Sequence, residues 1–261
     1  MASSTRAAKL IASEKLAALG ATNLTTALEL FAASNALQQS TSLRSVLSDP
    51  SAEVAGKEQV VRSVFGAKLS EQTTGLLIEL SKLRWSATRD LPAAIEQLGV
   101  RVAAQSANID QLQAELFAIE QTASSDPELE LALSSNRDAA AKQALISKLF
   151  KGKVSEAALA LALQAIESAA FKRFAQVVGQ YGVWVAEYAG EFVARVRVAR
   201  ELSAEQQQRL ESALSSVYGK KLQLNVEIDP EVVGGIHVAV AGEVIDATVV
   251  TKISNARLQL S

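Results

Sequence analysis

The chain repeats itself. "KEQVVRSVFGAKLSE" (57–71) aligns without a gap on "KQALISKLFKGKVSE" (142–156). Lys57, Phe65, Lys68, Ser70 and Glu71 fall opposite Lys142, Phe150, Lys153, Ser155 and Glu156, and apolar Val60, Val61, Val64 and Leu69 fall opposite Leu145, Ile146, Leu149 and Val154. Flanking stretches keep the same order. "NLTTALELFA" (23–32) resembles "NIDQLQAELFA" (108–118), and "QLGVRVA" (97–103) resembles "QYGVWVA" (180–186). Lys57 and Lys142 are 85 positions apart, so the pattern predicts a tandem duplication of one helical unit of that length. In each copy a glycine frees a helix C-terminus and a lysine suits its negative end. Ser70 or Ser155 then caps the next helix, with an acidic residue in its first turn.

Residues 1 to about 190 are dominated by Ala, Leu, Glu, Lys and Gln, with apolar residues three and four apart. Leu10, Ile11, Leu16 and Leu19 share one face of a first predicted helix, and Leu24, Leu28, Phe31 and Asn35 one face of a second. Pro50 restrains Asp49 away from helix, so "LSDPS" (47–51) reads as a break. Helices follow at about 52–65, 70–85 and 88–105, the fifth of the first unit carrying Leu91 and Ile95.

After residue 190 the period changes from 3.6 to 2. In "FVARVRVA" (192–199) Ala194, Val196 and Val198 share one face, with Arg195 and Arg197 on the other. "LQLNVEI" (222–228) alternates throughout, which predicts Leu222, Leu224, Val226 and Ile228 inward. Between them lies a helix with Ser203 as N-cap, Gln206 at the capping-box position, Leu210, Leu214 and Val217 as its stripe, and Gly219 at its end. "GIHVAVAGEVIDATV" predicts two strands around an Ala241-Gly242 turn, and a short last helix is expected from Val250 or Thr251. The fold class is therefore α+β: an N-terminal all-α bundle with a duplicated unit, then a small α+β domain. The expected divisions are 1–105, 106–190 and 191–261.

The residues argue against chemistry. The formal net charge is −2, so no large basic field is available for nucleic acid. The absence of cysteine excludes disulfides and thiolate ligands. No run approaches the ~18–20 apolar residues that span a bilayer, and Glu14 with Lys15 interrupts the stretch a signal peptide would need. Gly56-Lys57, Gly152-Lys153 and Gly219-Lys220 are not followed by Ser or Thr, so none is a phosphate-binding loop. His237 is the single histidine, flanked by Ile236 and Val238, and is expected to be structural or at the surface. Asp246 has no assignable partner, Asp229-Pro230 reads as a turn, and Gly234-Gly235 permits a bulge. Trp85 and Trp184 fall in different copies and form no base-stacking platform. No cofactor or metal is expected.

The C-terminal third resembles the δ subunit of F-type ATP synthases, the bacterial relatives of the oligomycin sensitivity-conferring protein. The resemblance rests on Leu202-Ser203, Gly219-Lys220, Ile228-Asp229-Pro230, Val233-Gly234-Gly235-Ile236 and Val244-Ile245-Asp246, with Thr248 where the family has Ser. Upstream, "RAAKLIASEKL" and "LSDPSAEVAGKEQVVRSVF" are similar to the family's first helix and to its loop and third helix. A usual member has one helical unit; the duplicated form looks like that of actinobacteria. The resemblance implies a non-catalytic stator on the cytoplasmic face of the bacterial plasma membrane, meeting the membrane only through partners. Its N-terminal domain would bind the amphipathic N-terminal segment of an α subunit, and its C-terminal domain the end of the stalk b subunit. By family position the α segment would meet Ala8, Ile11, Lys15, Leu91 and Ile95. The alternatives are a helical-repeat adaptor of an unrelated complex, and an enzyme using Asp246 as base.

Overall fold

The structure is a computed structural model that describes residues 3–135, 138–168, 172–190, 192–218, 222–229, 232, 236–240 and 243–246. The chain divides into two compact units, Met1–Trp184 and Val185–Ser261.

The first unit holds α1 (Ser3–Ala18), α2 (Leu24–Gln39), α3 (Thr41–Ser48), α4 (Val54–Phe65), α5 (Glu71–Ser81), α6 (Asp90–Gln105), α7 (Ile109–Ser125), α8 (Pro127–Ser134), α9 (Ala139–Phe150), α10 (Glu156–Ser168) and most of α11 (Phe174–Ala189). The duplication is visible in the elements. Helices α2 to α6 run 16, 8, 12, 11 and 16 residues, and α7 to α11 run 17, 8, 12, 13 and 16. Local chemistry repeats with them. Asn23 caps α2 by accepting from the Thr26 N–H at 3.1 Å, and Asn108 caps α7 by accepting from the Gln111 N–H at 3.0 Å. Glu29 accepts from the N–H and hydroxyl of Ser70 at 2.9 and 2.7 Å; Glu115 accepts from those of Ser155 at 3.0 and 2.5 Å. Val61 and Ile146 are buried, as are Phe65 and Phe150.

Two departures from the sequence expectation follow from short-range chemistry. Helix α3 was not expected, so the first copy has six helices and Leu91 and Ile95 lie on the sixth. At eight residues it is too short for periodicity to reveal. It forms because the Ser40 side chain accepts from the Leu43 N–H and Leu47 is buried beneath it. Helix α1 has no counterpart in the second copy, because only Ser106–Asn108 separate α6 from α7. In its place the first copy's own α2 and α6 pack against α10. Helices α2 and α6 approach so closely that a Cβ on Gly99 would lie 2.5 Å from Phe31 Cε1, which is why a glycine stands there.

The second unit holds β1 (Phe192–Val198), α12 (Ala204–Tyr218), β2 (Leu222–Ile228), β3 (Ile236–Val240) and β4 (Glu243–Asp246), in the sheet order β2-β1-β3-β4. Strands β1 and β2 are parallel, joined through α12, and β3 and β4 add antiparallel. Ala194, Val196, Val198, Leu222 and Val238 meet Leu214 of α12 in the core, with Leu210, Leu224, Val226 and Ile236 packed around them. The capping box is present: the Ser203 N–H donates to Gln206 Oε1 at 2.9 Å and the Gln206 N–H to Ser203 Oγ at 3.3 Å. Ile228 differs from the expectation. It is 56 % exposed, because it ends a strand at the sheet's edge. Gly219, Gly234 and Gly235, the Ala241-Gly242 turn and the helix expected from Val250 lie outside the described residues, as does the side chain of Val217.

Candidate functional site

Among the described residues no group of three or more His, Asp and Glu could hold a metal ion, and no helix is long and apolar enough to cross a membrane. His237 lies across from Arg197 on β1. Arg197 Nη2 is 3.4 Å from both ring nitrogens, and its Nη1 donates to Asp229 Oδ2 at 3.3 Å. The histidine is thus part of a surface cluster centred on a cation. Trp85 is a core residue whose indole N–H donates to the Leu80 carbonyl at 3.0 Å, and Trp184 packs on Tyr181 with ring centroids 5.6 Å apart. Lys57 is buried, donating to the Ser81 carbonyl at the C-terminus of α5 at 2.8 Å, and burial pulls its pKa down.

Two of the residues expected at a partner site, Ile11 and Lys15, lie on α1 toward the edge where it meets α5. On its far side α1 is tied to α6: the Thr5 hydroxyl donates to Asp90 Oδ2 at 2.6 Å and Lys9 Nζ to Gln97 Oε1 at 2.9 Å. Toward α5, Lys15 Nζ lies 2.9 Å from Glu79 Oε2, and Gln72 Nε2 donates to the Leu19 carbonyl at 2.9 Å. Glu79 also accepts from Lys82 at 2.5 Å, and these hydrogen bonds, Lys82 first and Lys15 second, hold its pKa below the ordinary glutamate value. Gly75 sits one turn from both Gln72 and Glu79 on this face of α5, and a Cβ there would meet nothing within 4 Å. Ile11, one turn before Lys15, is 37 % exposed, and neighbouring Leu10 is 66 % exposed.

The five residues expected at a partner site divide accordingly. Ile11 and Lys15 are on the accessible edge, whereas Ala8, Leu91 and Ile95 are buried between α1 and the rest of the unit. Gly75, Glu79 and Lys82 lie on the same edge and are not among the five residues expected there. The only signal for them was a spacing of four and three along α5 to its C-cap Lys82, since Lys15 and Glu79 are 64 residues apart.

A family model for the ATP synthase delta (OSCP) subunit matches residues 100–260. The chain is similar to the ATP synthase subunit delta of Leifsonia xyli subsp. xyli, 39 % identical over 264 residues that cover all of both chains. It is also similar to that of a Nocardioides species, 38 % identical over 89 % of this chain and 86 % of the other. The one from Thermobifida fusca is 35 % identical over 89 % and 88 %.

Proposed function

The chain belongs to the ATP synthase delta (OSCP) subunit family, and on that premise we propose that it is a non-catalytic peripheral-stalk subunit tying the catalytic head of an F-type ATP synthase to the b subunit of the stalk. Residues 1–105 bind the head through the amphipathic N-terminal segment of an α subunit. Residues 106–190 are the second copy of the helical unit and widen that body, and residues 191–261 bind the end of b. The protein works at the cytoplasmic face of the bacterial plasma membrane and reaches it only through these partners.

The observation that carries the head-binding assignment is the α1–α5 edge. Ile11, partly exposed one turn before Lys15, stands beside the Lys15–Glu79–Lys82 cluster, and Gly75 leaves room for a partner's side chains. That combination suits an amphipathic helix laid in a groove. Ala8, Leu91 and Ile95 support it from below by fixing α1. A stator resists torque without reacting, and two interfaces on one chain reinforce each other through effective concentration.

The test is titration of the full chain with a peptide of the cognate α N-terminal segment and, separately, with the C-terminal end of b. Ile11→Asp should weaken the α peptide at least tenfold and leave b binding unchanged. Failure of both peptides to bind would remove the stalk function. An α affinity untouched by Ile11→Asp and Lys15→Glu would remove this groove.

A further inference from the structure

The duplication gives the α1–α5 edge a double. Helix α10 is the second copy's α5, and at a spacing of 85 its Ala160, Leu163, Gln164 and Glu167 stand where the first copy has Gly75, Ile78 and Glu79 of α5 and its C-cap Lys82. These four α10 residues line a cleft of about 370 Å³ whose opposite wall is α2. The two walls are matched in their chemistry. In the first groove Lys15 of α1 reaches Glu79. In the second, Asn35 of α2 and Gln164 exchange a pair of amide hydrogen bonds at 2.9 and 3.0 Å. Leu28, 49 % exposed, stands on the rim as Ile11 does in the first. From Leu28 to Gln39 the α2 wall runs about 16 Å, or three helical turns.

The charges are reversed. At the matching position Lys82, just past α5, stands beside Glu79, whereas Glu167 on α10 gives the second cleft one negative charge. Among the described residues Glu167 is the single charged side chain lining the second cleft. It accepts from Gln143 Nε2 at 2.8 Å and has no cation partner among the described residues. A basic flank suited to Glu167 would meet Lys82 at the matching place beside the first edge, so the two are expected to take different helices.

We infer that the α2–α10 cleft is a second helix-docking groove. It takes an amphipathic helix of another subunit whose apolar strip covers Leu28 and Leu163 and whose flanking Lys or Arg pairs with Glu167. This extends the head-binding reading from one copy of the unit to both, with a different segment in each.

The test uses the assembled complex in membranes. A photoreactive p-benzoylphenylalanine replaces Leu28 or Leu163 in one pair of variants and Ile11 in a third, and crosslinked peptides are mapped by mass spectrometry. Leu28 and Leu163 should both capture one segment of another subunit, with apolar residues three and four apart and a Lys or Arg beside them. That segment should differ from the one captured at Ile11. Glu167→Lys should cut the capture at least tenfold, while Glu167→Gln reduces it less; unchanged thermal melting of both variants shows that folding is intact. Capture at Ile11 with none at Leu28 and Leu163 overturns the second groove and spares the first. Capture of another copy of this chain, of lipid, or of a segment without a basic residue overturns it as well. Silence at all three positions overturns both grooves.

Discussion

The Tyr181 hydroxyl donates to Glu96 Oε1 at 2.5 Å, joining α11 of the second copy to α6 of the first across 85 residues. The Ser168 hydroxyl donates to the same oxygen, and Gln164 Nε2 lies 3.3 Å from it. Gln164 in turn is paired with Asn35. These groups sit where the second copy, lacking a first helix of its own, packs on α2 and α6. A buried carboxylate surrounded by neutral donors is tolerated only while those donors stay in place.

Removing the tyrosine hydroxyl should therefore be expensive for so small a change. Tyr181→Phe is expected to lower unfolding free energy by about 1–3 kcal/mol, the cost of leaving a buried acceptor short of a partner. In a double-mutant cycle with Glu96→Gln, measured by urea unfolding, the two changes should couple by at least ~1 kcal/mol. Strict additivity would show that the pair does not act as a unit.

The same pair sets an alkaline limit. Burial chiefly, and then the nearby Glu96 carboxylate, push the Tyr181 pKa well above the usual tyrosine value. The unfolded chain can release that proton from about pH 10 upward while the native chain keeps it. The unfolded state then binds fewer protons, so this contribution to stability is full below pH 10 and declines above it. Absorbance at 295 nm should show one tyrosine of the folded protein resisting ionisation beyond the ordinary range. Tyr181→Phe should lose that phase. A normal titration of all three tyrosines would contradict the burial assignment.

Much of this was readable from the residues. The repeat was, because Phe, Gly, Lys and Ser recur at positions where each has a local job: Ser70 and Ser155 both cap helices against a glutamate. The switch to period 2 placed β1 and β2, and Ala194, Val196 and Val198 face the core as their alternation required. Helix α3 was not legible, since eight residues hold too few turns for a stripe. The division of the partner-site residues was not legible either. Ala8 and Ile11 look alike in sequence, and only the packing of α1 over α6 decides that one is covered and the other open. The Glu96 cluster joins residues far apart in the chain, so no local pattern announces it.

Glycine substitutions should separate the helix seams. Gly99→Ala puts a methyl 2.5 Å from the buried Phe31 ring. Overpacking of that kind costs about 1–3 kcal/mol, against which helix propensity returns up to about 1. A net loss is expected. Gly182→Ala, at the matching place in the second copy, and Gly75→Ala meet nothing within 4 Å and should each gain about 0.5–1 kcal/mol. Chemical unfolding of the three variants checks this, and a stabilised Gly99→Ala would mean that α2 and α6 are not locked together by that contact.

Glu29 gives the acid side of the stability profile. Partial burial pushes its pKa up, but hydrogen bonds from Thr73, the Ser70 hydroxyl and the Ser70 N–H together pull harder, and the net pKa falls below the ordinary glutamate value. The charged form is therefore favoured in the folded chain. Its contribution is complete above the unfolded pKa of about 4.3 and is lost as pH drops below that, when the unfolded state takes up the proton first. Wild type should exceed Glu29→Gln in urea midpoint at pH 7, and the gap should narrow steadily between about pH 5 and pH 3. A gap that stays constant over that interval would mean that Glu29 holds α5 through shape alone and that the charge on the Ser70 cap contributes nothing.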